Sequence, residues 1–331
     1  MKNVRLEDIA NRLSLTKVSI SKALRDHPDI SVETRKKVKK MAKKMGYRPN
    51  LQARSLTSKK TRTIGVIIPK IAHSFFSLVM EGIYKRAQEK GYKVILGISM
   101  ENEDLERQHI ESMMEMRVDG LLVSISEHTK NAEIFDQVKE MGIHLVFFDR
   151  GFMEAGYSYI KVADREGAKS GVREMIDLGY RDIAHLSGFS SVLIGRDRKR
   201  GYEEAMKEAG LKIPESSVVE GGFGEEDGYE GFKKLLEQRD LPEALFAVTY
   251  PVGLGALRYM IENGIDPKEI KILTFGGNEF IWSLVTPFIC IDQPTVELGK
   301  RAIEQLLLEM ESEEDEVEPK LIELPASTIK S

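Results

Sequence analysis

The chain has 331 residues, of which 41% are hydrophobic and 31% are charged, and its net charge is −4. A chain of this length exceeds one compact core, so two or three domains are expected. The single cysteine, Cys290, excludes an internal disulfide and a zinc site built on several thiolates. The charged N-terminus does not resemble a signal peptide, and no apolar run approaches the roughly 20 residues of a membrane span. We therefore expect a cytoplasmic protein without a membrane partner.

The net charge hides a strong asymmetry along the chain. Residues 1–62 contain 18 Lys and Arg against 5 Asp and Glu, whereas the remainder contains 31 against 48. A basic head on an acidic body indicates a polyanion partner at one end. A solvated helix face is the alternative, because the run KKVKKMAKK at 36–44 alone supplies six lysines. The motif that precedes this run favours nucleic acid.

Three short segments near the N-terminus have the apolar spacing of helices. The pattern predicts a first helix over 6–13 and, after a tight turn, a second over 17–25 with Thr16 as its N-cap. Ser31 would cap a third helix that ends at Gly46. Helix, short turn, helix and supporting helix form the helix-turn-helix layout, whose second helix enters the major groove. A three-helix cap without DNA is the alternative, and the lysines and hydroxyls of the second helix argue against it.

Residues 6–56 resemble the DNA-binding head of the LacI/GalR (lactose-repressor) family, nearly position for position. The order Gly-Tyr-x-Pro-Asn at 46–50 and Ala-Arg-Ser-Leu at 53–56 is highly specific. The resemblance continues into TIGVIIP at 63–69 and covers essentially the whole chain. One departure is Ser14, where the family usually has Gly. Because Ser adopts a left-handed backbone less readily than Gly, we predict slight strain in this turn.

The resemblance implies DNA contacts from the second helix and from the hinge that follows the head. It assigns base edges to Lys17, Val18 and Lys22, in agreement with the chemistry of lysine toward guanine and of valine toward the thymine methyl. It assigns phosphates to three hydroxyl side chains, Thr16, Ser19 and Ser21. The implied hinge contacts come from Asn50, Ala53, Arg54 and Leu56. Leu56 would enter the minor groove beside its copy from the second subunit and kink the DNA.

From Thr63 onward, strand-like runs alternate with helices. The eight runs predicted as strands are 63–69, 92–99, 120–126, 143–149, 183–188, 244–250, 270–276 and 288–292, and LIELP at 321–325 is predicted as a last strand beyond them. Nearly continuous apolar strands with helical crossovers are typical of parallel sheets covered on both faces. Eight such units exceed one small sheet, so we predict two Rossmann-like lobes. The resemblance implies the same α/β architecture, that of periplasmic binding proteins.

The expected organisation is a helix-turn-helix domain at 1–48, a hinge helix and linker at 49–62, and an effector-binding and dimerisation domain at 63–331. The resemblance implies that the chain crosses between the lobes near 162, 292 and 323. Lobe 1 would then comprise about 63–162 and 293–323, and lobe 2 about 163–291 and 324–331.

Ligands of parallel α/β sheets bind at the carboxyl ends of the strands, in the crevice between lobes. Eight residues near these ends match family positions that line an effector cleft: Phe75, Phe76, Asp149, Arg198, Phe223, Thr249, Gly277 and Asn278. With a helix predicted over 200–209, the Arg198 guanidinium lies at a helix start and suits bidentate binding of hydroxyls or an acid group. Core packing of the phenylalanines, a solvated basic cluster around Arg198 and a turn at Asp149 are the alternatives.

Two departures affect the expected ligand. Many family members carry two acids after the strand that ends at Phe275, where this chain has Gly277 and Asn278. Where the family often has an Asn-Asp pair, this chain has Thr249 and Tyr250. Fewer carboxylates mean fewer strong acceptors for sugar hydroxyls. The cleft would then prefer a less hydroxylated or an acidic ligand, or it would be shallow.

A catalytic function is not expected, and neither is a cofactor. The six histidines are scattered, and neither HExxH, GxSxG nor a complete GxGxxG occurs. A transport-type sugar-binding protein would share the body, but it predicts an export signal and no helix-turn-helix.

We expect a homodimeric, nucleoid-associated transcriptional regulator, of repressor type, on a near-palindromic operator. A sugar or sugar derivative would control its DNA affinity allosterically. A constitutive operator binder with a degenerate cleft is the alternative. The sequence does not determine whether the ligand induces or co-represses, which operator is bound, or whether dimers assemble into tetramers.

Overall fold

The computed structural model describes residues 4–47, 60–72, 74–153, 155–277, 288–312 and 317–329. The chain divides into two compact units, Met1–Thr61 and Arg62–Ser331. Within the described ranges no helix combines the length and the apolar character that a membrane crossing needs.

The first unit contains the three predicted helices, α1 (Leu6–Leu13), α2 (Lys17–Leu24) and α3 (Val32–Met45). Helix α2 ends one residue earlier than predicted. Each helix contributes two fully or nearly fully buried side chains to a small common core, which contains Ile9, Ala10, Ile20, Ala23, Val38 and Ala42. A core this small leaves much of the stability of the unit to its caps and turns.

The predicted caps are confirmed. The Thr16 hydroxyl accepts the Ser19 N–H at 3.1 Å, and the Ser31 hydroxyl accepts the Thr34 N–H at 3.2 Å. Gly46 ends α3 in the left-handed region at φ 69°. These local hydrogen bonds satisfy N–H groups that the helices themselves leave unpaired.

In the second unit, helices and strands alternate. The strands are β1 (Thr63–Ile68), β2 (Lys93–Ile98), β3 (Gly120–Val123), β4 (His144–Phe148), β5 (Ser158–Val162), β6 (Ile183–Ser187), β7 (Val218–Glu220), β8 (Ala244–Ala247), β9 (Lys271–Phe275), β10 (Phe288–Asp292), β11 (Leu321–Leu324) and β12 (Ser327–Ile329). The helices are α4 (Ser74–Glu89), α5 (Glu103–Glu115), α6 (Glu133–Glu140), α7 (Asp164–Asp177), α8 (Leu193–Glu208), α9 (Glu225–Gln238), α10 (Tyr250–Glu262) and α11 (Thr295–Glu311).

The strands form two six-stranded sheets, ordered β11-β5-β4-β3-β1-β2 and β12-β10-β9-β8-β6-β7. All neighbours are parallel except β10 and β12, which pair antiparallel. The chain passes from one sheet to the other after β5, after β10 and after β11. Leu324 pairs with Val162, so the first lobe extends one residue beyond 323. The predicted class, an all-α head followed by a two-lobed α/β body, is confirmed.

Three strands, helix α11, the first half of α8 and the first turns of α9 and α10 were not predicted. Strands β5, β7 and β12 are short or carry polar residues, which weakens their apolar signal. Helix α8 begins at Leu193 instead of Arg200, because Gly195 and a basic run give its first half the composition of a loop. Gly201 is needed for packing, since a Cβ there would lie 2.2 Å from the Arg165 carbonyl oxygen.

Ser14 adopts the left-handed conformation that the turn after α1 requires, at φ 53° and ψ 41°. This conformation costs a residue with a Cβ about 1–2 kcal/mol, whereas it costs glycine little. The Leu15 N–H donates to the Ala10 carbonyl at 3.0 Å and closes the turn.

We expect Ser14→Gly to stabilise the first unit by about 0.5 kcal/mol, because the relieved strain exceeds the extra entropy of glycine in the unfolded chain. Hydrogen exchange of α1 and α2 amides in the full chain measures this local free energy. Ser14→Ala, which keeps a Cβ without the hydroxyl, serves as the control and should not stabilise. Faster exchange in Ser14→Gly would contradict the assignment of strain.

Glu106 is a buried carboxyl group in the first turn of α5, only 1% exposed. It accepts the Ser126 N–H at 2.6 Å and the Thr129 hydroxyl at 3.0 Å, so it holds the loop that follows β3. Burial raises the pKa of Glu106 to about 7, against the opposing effect of these two hydrogen bonds.

The folded chain therefore binds this proton more tightly than the unfolded chain, whose carboxyl has an ordinary pKa of 4.5. Stability is lost as pH rises from 4.5 through about 7, by roughly 3 kcal/mol. Glu106→Gln should remove this loss, so its Tm should gain on the wild type between pH 5 and 8. The exposed Glu111→Gln should shift Tm equally at all pH values, and a parallel pH profile for Glu106→Gln would refute the effect.

Candidate functional site

Helix α2 presents an open face to solvent. It buries Ile20 and Ala23 against the other two helices, which leaves Thr16, Lys17 and Val18 exposed at its start. Val18 is 65% exposed and contributes nothing to the core of the first unit. The face thus places an apolar side chain next to the Lys17 ammonium group. A base edge in the major groove presents the matching groups, hydrogen-bond acceptors on guanine and a methyl group on thymine.

The hydroxyl groups of the helix are placed around its N-terminus. The Thr16 and Ser19 hydroxyl oxygens lie 2.9 Å apart, and Thr16 also caps the backbone. Ser21 and Lys22 are half-buried. The Lys22 ammonium donates to the Asp29 carboxylate at 2.8 Å, so it has a partner within the protein.

The hinge residues of the predicted DNA site, Asn50, Ala53, Arg54 and Leu56, lie outside the described residues. Their roles stay predictions.

In the second unit, a cavity of about 140 Å³ lies between the lobes at the carboxyl ends of the strands. Both lobes line it. Seven of the eight predicted effector residues are among its walls: Phe75, Phe76, Asp149, Arg198, Phe223, Thr249 and Gly277. Asn278 lies outside the described residues. Residues up to 202 positions apart in sequence thus meet in one place.

Aromatic rings form much of the wall. Phe75 and Phe76 meet edge to face with ring centroids 5.1 Å apart. Phe76 also belongs to the core of the first lobe, so it serves packing as well as the cavity. Phe223 is 5% exposed and lies against Gly188, where a Cβ would come within 2.2 Å of the ring. Such faces bind the apolar side of a small molecule.

Arg198 is buried and strongly paired, only 2% exposed. Its Nε and Nη2 lie 2.8 and 2.7 Å from Oδ1 of Asp164, and its Nη1 donates to the Val248 carbonyl at 2.6 Å. The guanidinium also lies 3.7 Å from the centroid of the Phe275 ring. The prediction that Arg198 lies at a helix start is wrong, since α8 begins at Leu193, and a solvated basic cluster is excluded for this side chain. Three of the five N–H donors of the guanidinium are engaged internally.

Asp149 follows β4 in the left-handed conformation, at φ 59°, with its side chain buried. Burial raises the pKa of Asp149 to about 6, and the nearby positive charges of Arg150 and Arg198 oppose this rise. Its carbonyl oxygen accepts the Tyr159 hydroxyl at 2.7 Å. Asp149 therefore forms the turn after β4 and also lines the cavity.

Thr249 has a structural task besides lining the cavity. It is the N-cap of α10, where its hydroxyl accepts the Val252 N–H at 3.4 Å, and it donates to the Phe223 carbonyl at 2.9 Å. Its hydrogen-bonding capacity is largely used within the protein.

Sequence reasoning missed several charged residues of the cleft. Arg150 donates to both carboxylate oxygens of Glu101, at 3.0 and 3.1 Å, and its guanidinium lies 4.9 Å from the Phe223 ring centroid across the cleft. Lys70 lies 3.9 Å from Glu101. Arg150 follows β4, Glu101 follows β2 and Lys70 follows β1. The rule that ligands bind at the carboxyl ends of parallel strands would therefore have found all three.

Asp292 was also missed. It ends β10 where the chain passes between lobes, lines the cavity and is exposed. Its carboxylate has no ion pair or hydrogen bond with another described residue. Asp292 is thus an exposed carboxylate in a cleft whose other charges, among the described residues, are largely paired with each other.

Comparisons with known proteins agree over nearly the whole chain. A family profile described as "Bacterial regulatory proteins, lacI family" matches residues 5–50, and "Periplasmic binding proteins and sugar binding domain of LacI family" matches residues 61–318. Catabolite control protein A of Priestia megaterium is 30% identical over 325 residues, 98% of this chain and 97% of the relative. The transcriptional repressor PurR of Escherichia coli O139:H28 is 30% identical over 326 residues, 96% and 95% of the two chains.

Among solved structures, a lac repressor dimer bound to operator and an anti-inducer is similar with a TM-score of 0.85 at 22% identity, covering 99% of this chain and 98% of the other. The regulator CelR in complex with cellobiose reaches a TM-score of 0.73 at 23% identity, with coverage of 99% and 98%. These two likenesses concern the fold. Together with the matching profiles and the relatives, the helix-turn-helix and the two-lobed body show that the chain is a transcriptional regulator that belongs to the LacI family.

Proposed function

We propose that the chain is a homodimeric repressor whose affinity for a near-palindromic operator is set by a small, sugar-like molecule bound between the lobes. The convergence of seven predicted effector residues from both lobes on one cavity carries the proposal. In addition, the exposed face of α2 is chemically suited to base edges. The same chain therefore contains a candidate ligand cleft and a candidate DNA-reading helix.

The proposed DNA binding is supported by the different roles of the two faces of α2. Its buried face is fully used by the core, and its exposed face combines Lys17 with the solvent-exposed Val18. Two copies of such a helix, related by a two-fold axis, would read two half-sites of a near-palindrome. A dimer on its operator is the form of the related lac repressor structure.

For the ligand half, the support is the combination of aromatic faces with the exposed carboxylate of Asp292. A carboxylate accepts two neighbouring hydroxyls, and an aromatic ring packs against the apolar face of a sugar ring. Asp292 supplies such an acceptor although Gly277 lacks one. Related structures hold cellobiose and fructose 1-phosphate. The effector would therefore be a sugar or sugar derivative that places only a few of its hydroxyl groups deep in the cavity.

Coupling between the two halves requires that the ligand bind one arrangement of the lobes better than another. Two of the contacts that bridge the lobes would change with their arrangement. Arg150 of the first lobe packs on Phe223 of the second, and the buried Lys161 ammonium lies 2.5 Å from the Asp197 carboxylate. We propose that the segment 49–62 carries the change to the DNA-binding head.

A constitutive operator binder is the second candidate. Arg198 and Thr249 form most of their hydrogen bonds within the protein, and Gly277 has no side chain. These three cleft residues therefore have little hydrogen-bonding capacity for a ligand. Both candidates predict the same operator binding, and they differ only in the response to ligand.

Selection from a randomised DNA pool should recover a near-palindrome for the wild-type chain. Lys17→Ala should then relax the preference at one base position in each half-site, at a cost of about 1–3 kcal/mol. Lys43→Ala, a matched charge change late on α3, should lower affinity for all DNA without altering the base preference. An unchanged preference profile in Lys17→Ala would remove that residue from the reading set, and no selected sequence at all would end the operator proposal.

Titration of operator binding against neutral sugars, sugar phosphates and sugar acids tests the ligand half. We expect one class to change the affinity, and Asp292→Asn to weaken the response to it about tenfold or more, since a hydrogen bond to a charged acceptor contributes about 1.5–3 kcal/mol. Ligand-free operator affinity should stay the same, as it should in Asp177→Asn at an exposed site away from the cleft. A panel without any effect would favour the constitutive binder.

A further inference from the structure

Helix α3 carries six lysines within residues 36–44. Four of them recur every three or four residues along the helix and are exposed to solvent. Val38 and Ala42 lie on the opposite side of α3, in the core of the first unit. Residues at this spacing share one side of a helix, so the four form a continuous outer face. We call this face the lysine stripe; it consists of Lys36, Lys40, Lys43 and Lys44.

The charge of the stripe is not neutralised by neighbouring side chains. None of its four ammonium groups forms an ion pair or a hydrogen bond with another residue that the structure describes. Lys39, on the flank of the stripe, differs, because it donates to the Asp26 carboxylate at 2.6 and 2.7 Å. Glu33 is the single acidic residue within Val32–Met45. Since like charges four residues apart destabilise a helix, a face of one sign is unfavourable for α3 by itself.

The helix dipole explains only part of this face. Lys43 and Lys44 lie in the last turn of α3, where a positive charge is favourable. Lys36 and Lys40 lie before that turn and gain little from the dipole, which acts within the last turn. The position of these two lysines therefore points to an anion outside the protein.

The stripe and the exposed face of α2 point in different directions. Both helices pack on the common core, α2 through Ile20 and α3 through Val38. Each helix therefore directs its other side away from that core. A straight duplex that lies against Lys17 and Val18 on α2 does not also lie along the outer side of α3.

We propose that the lysine stripe is a second DNA-binding surface, without sequence preference, that holds a neighbouring duplex segment while α2 reads the operator. The inference goes beyond the proposed operator function and rests on it. From Lys36 to Lys44 the stripe is about 12 Å long, and one strand of a duplex has about three or four phosphates along that length. A lysine ammonium binds phosphate as a point charge and needs no particular base beside it.

The composition of the stripe favours double-stranded DNA over single-stranded nucleic acid. Single strands are commonly bound by aromatic side chains that stack on the bases, and Val32–Met45 contains no aromatic residue. A duplex presents its phosphates on the outside, where lysines reach them. Other segments of the same DNA molecule are tethered near a regulator on its operator, so even a weak contact is populated. The stripe would therefore join two segments of one DNA.

The experiment measures whether the protein on one duplex captures a second one. Full-length protein is loaded onto the bead-bound duplex that the wild type selects from a randomised pool, and free protein is washed away. A fluorescent scrambled duplex is then added over a series of KCl concentrations. At equal protein loading, the triple variant Lys36→Gln, Lys40→Gln and Lys44→Gln should capture at least about fivefold less, and its slope against log salt should be shallower by about 2–3.

Two further triple variants serve as controls. Arginine at the same three stripe positions keeps both the charge and a good helix former, so capture should stay at the wild-type level. Lys212→Gln, Lys233→Gln and Lys234→Gln together remove the same charge from exposed positions of the second unit and should also leave capture unchanged. By selection from the randomised pool, the glutamine variant of the stripe should recover the wild-type base preference, because α2 is intact.

Equal capture by the wild type and the glutamine variant of the stripe would overturn the proposal, because association of the bodies would then join the duplexes. Absent capture by the wild type would overturn it, and so would loss of capture in the arginine variant. A preference for the selected sequence as the second duplex would do the same, because reading helices would then hold both duplexes.

A labelled RNA of equal length replaces the second duplex in a parallel measurement. Capture of RNA without capture of the duplex would assign the stripe to RNA and contradict the proposal. Failure of the operator function itself is distinguishable. The wild type would then bind the selected and scrambled bead-bound duplexes equally, and capture of a second duplex would still be measured on either.

Discussion

Parallel sheets collect side chains at their carboxyl ends, and in this chain three crossings between the lobes make two such ends face each other. The cleft depends on the groups at these crossings. Asp164 opens α7 directly after the first crossing, and it neutralises Arg198 inside the second lobe. A buried guanidinium without a carboxylate would be very costly, so this pair holds the wall of the cavity in a defined position.

The charges of the cleft are for the most part paired with each other. Arg150 binds Glu101, and Arg198 binds Asp164, so these cations shape the cavity before they contact any ligand. Asp292 at the rim differs, since it lies exposed where the lobes meet. A ligand that engages Asp292 gains an acceptor without breaking an internal pair. In the proposed function, ligand recognition by Asp292 and the lobe arrangement held by the buried ion pairs are therefore carried by different residues.

The sequence was informative wherever the determinant is local. The caps at Thr16 and Ser31 and the left-handed residue Ser14 depend on neighbours within a few positions, and all three were predicted. Strand β5 was not, because Lys161 interrupts its apolar run. The burial of that lysine is offset by ion pairs with Asp197 of the other lobe and with Glu323. Similarly, seven cleft positions were predicted from strand ends and family resemblance. The groups that occupy the hydrogen-bond donors of Arg198 were not, because they depend on tertiary structure.

Both ends of the molecule show cations that are already paired in the free protein. At the cleft, the strength of pairing follows from burial: Arg198 is nearly inaccessible, so a ligand cannot easily replace Asp164. At the DNA-binding head, the side chains of Lys22 and Asp29 are 35% and 57% exposed, so their ion pair is weaker than a buried one. The same type of interaction is therefore strong where it is buried and weak where it is partly exposed. Solvent exposure decides which, because water lowers the cost of separating the two charges.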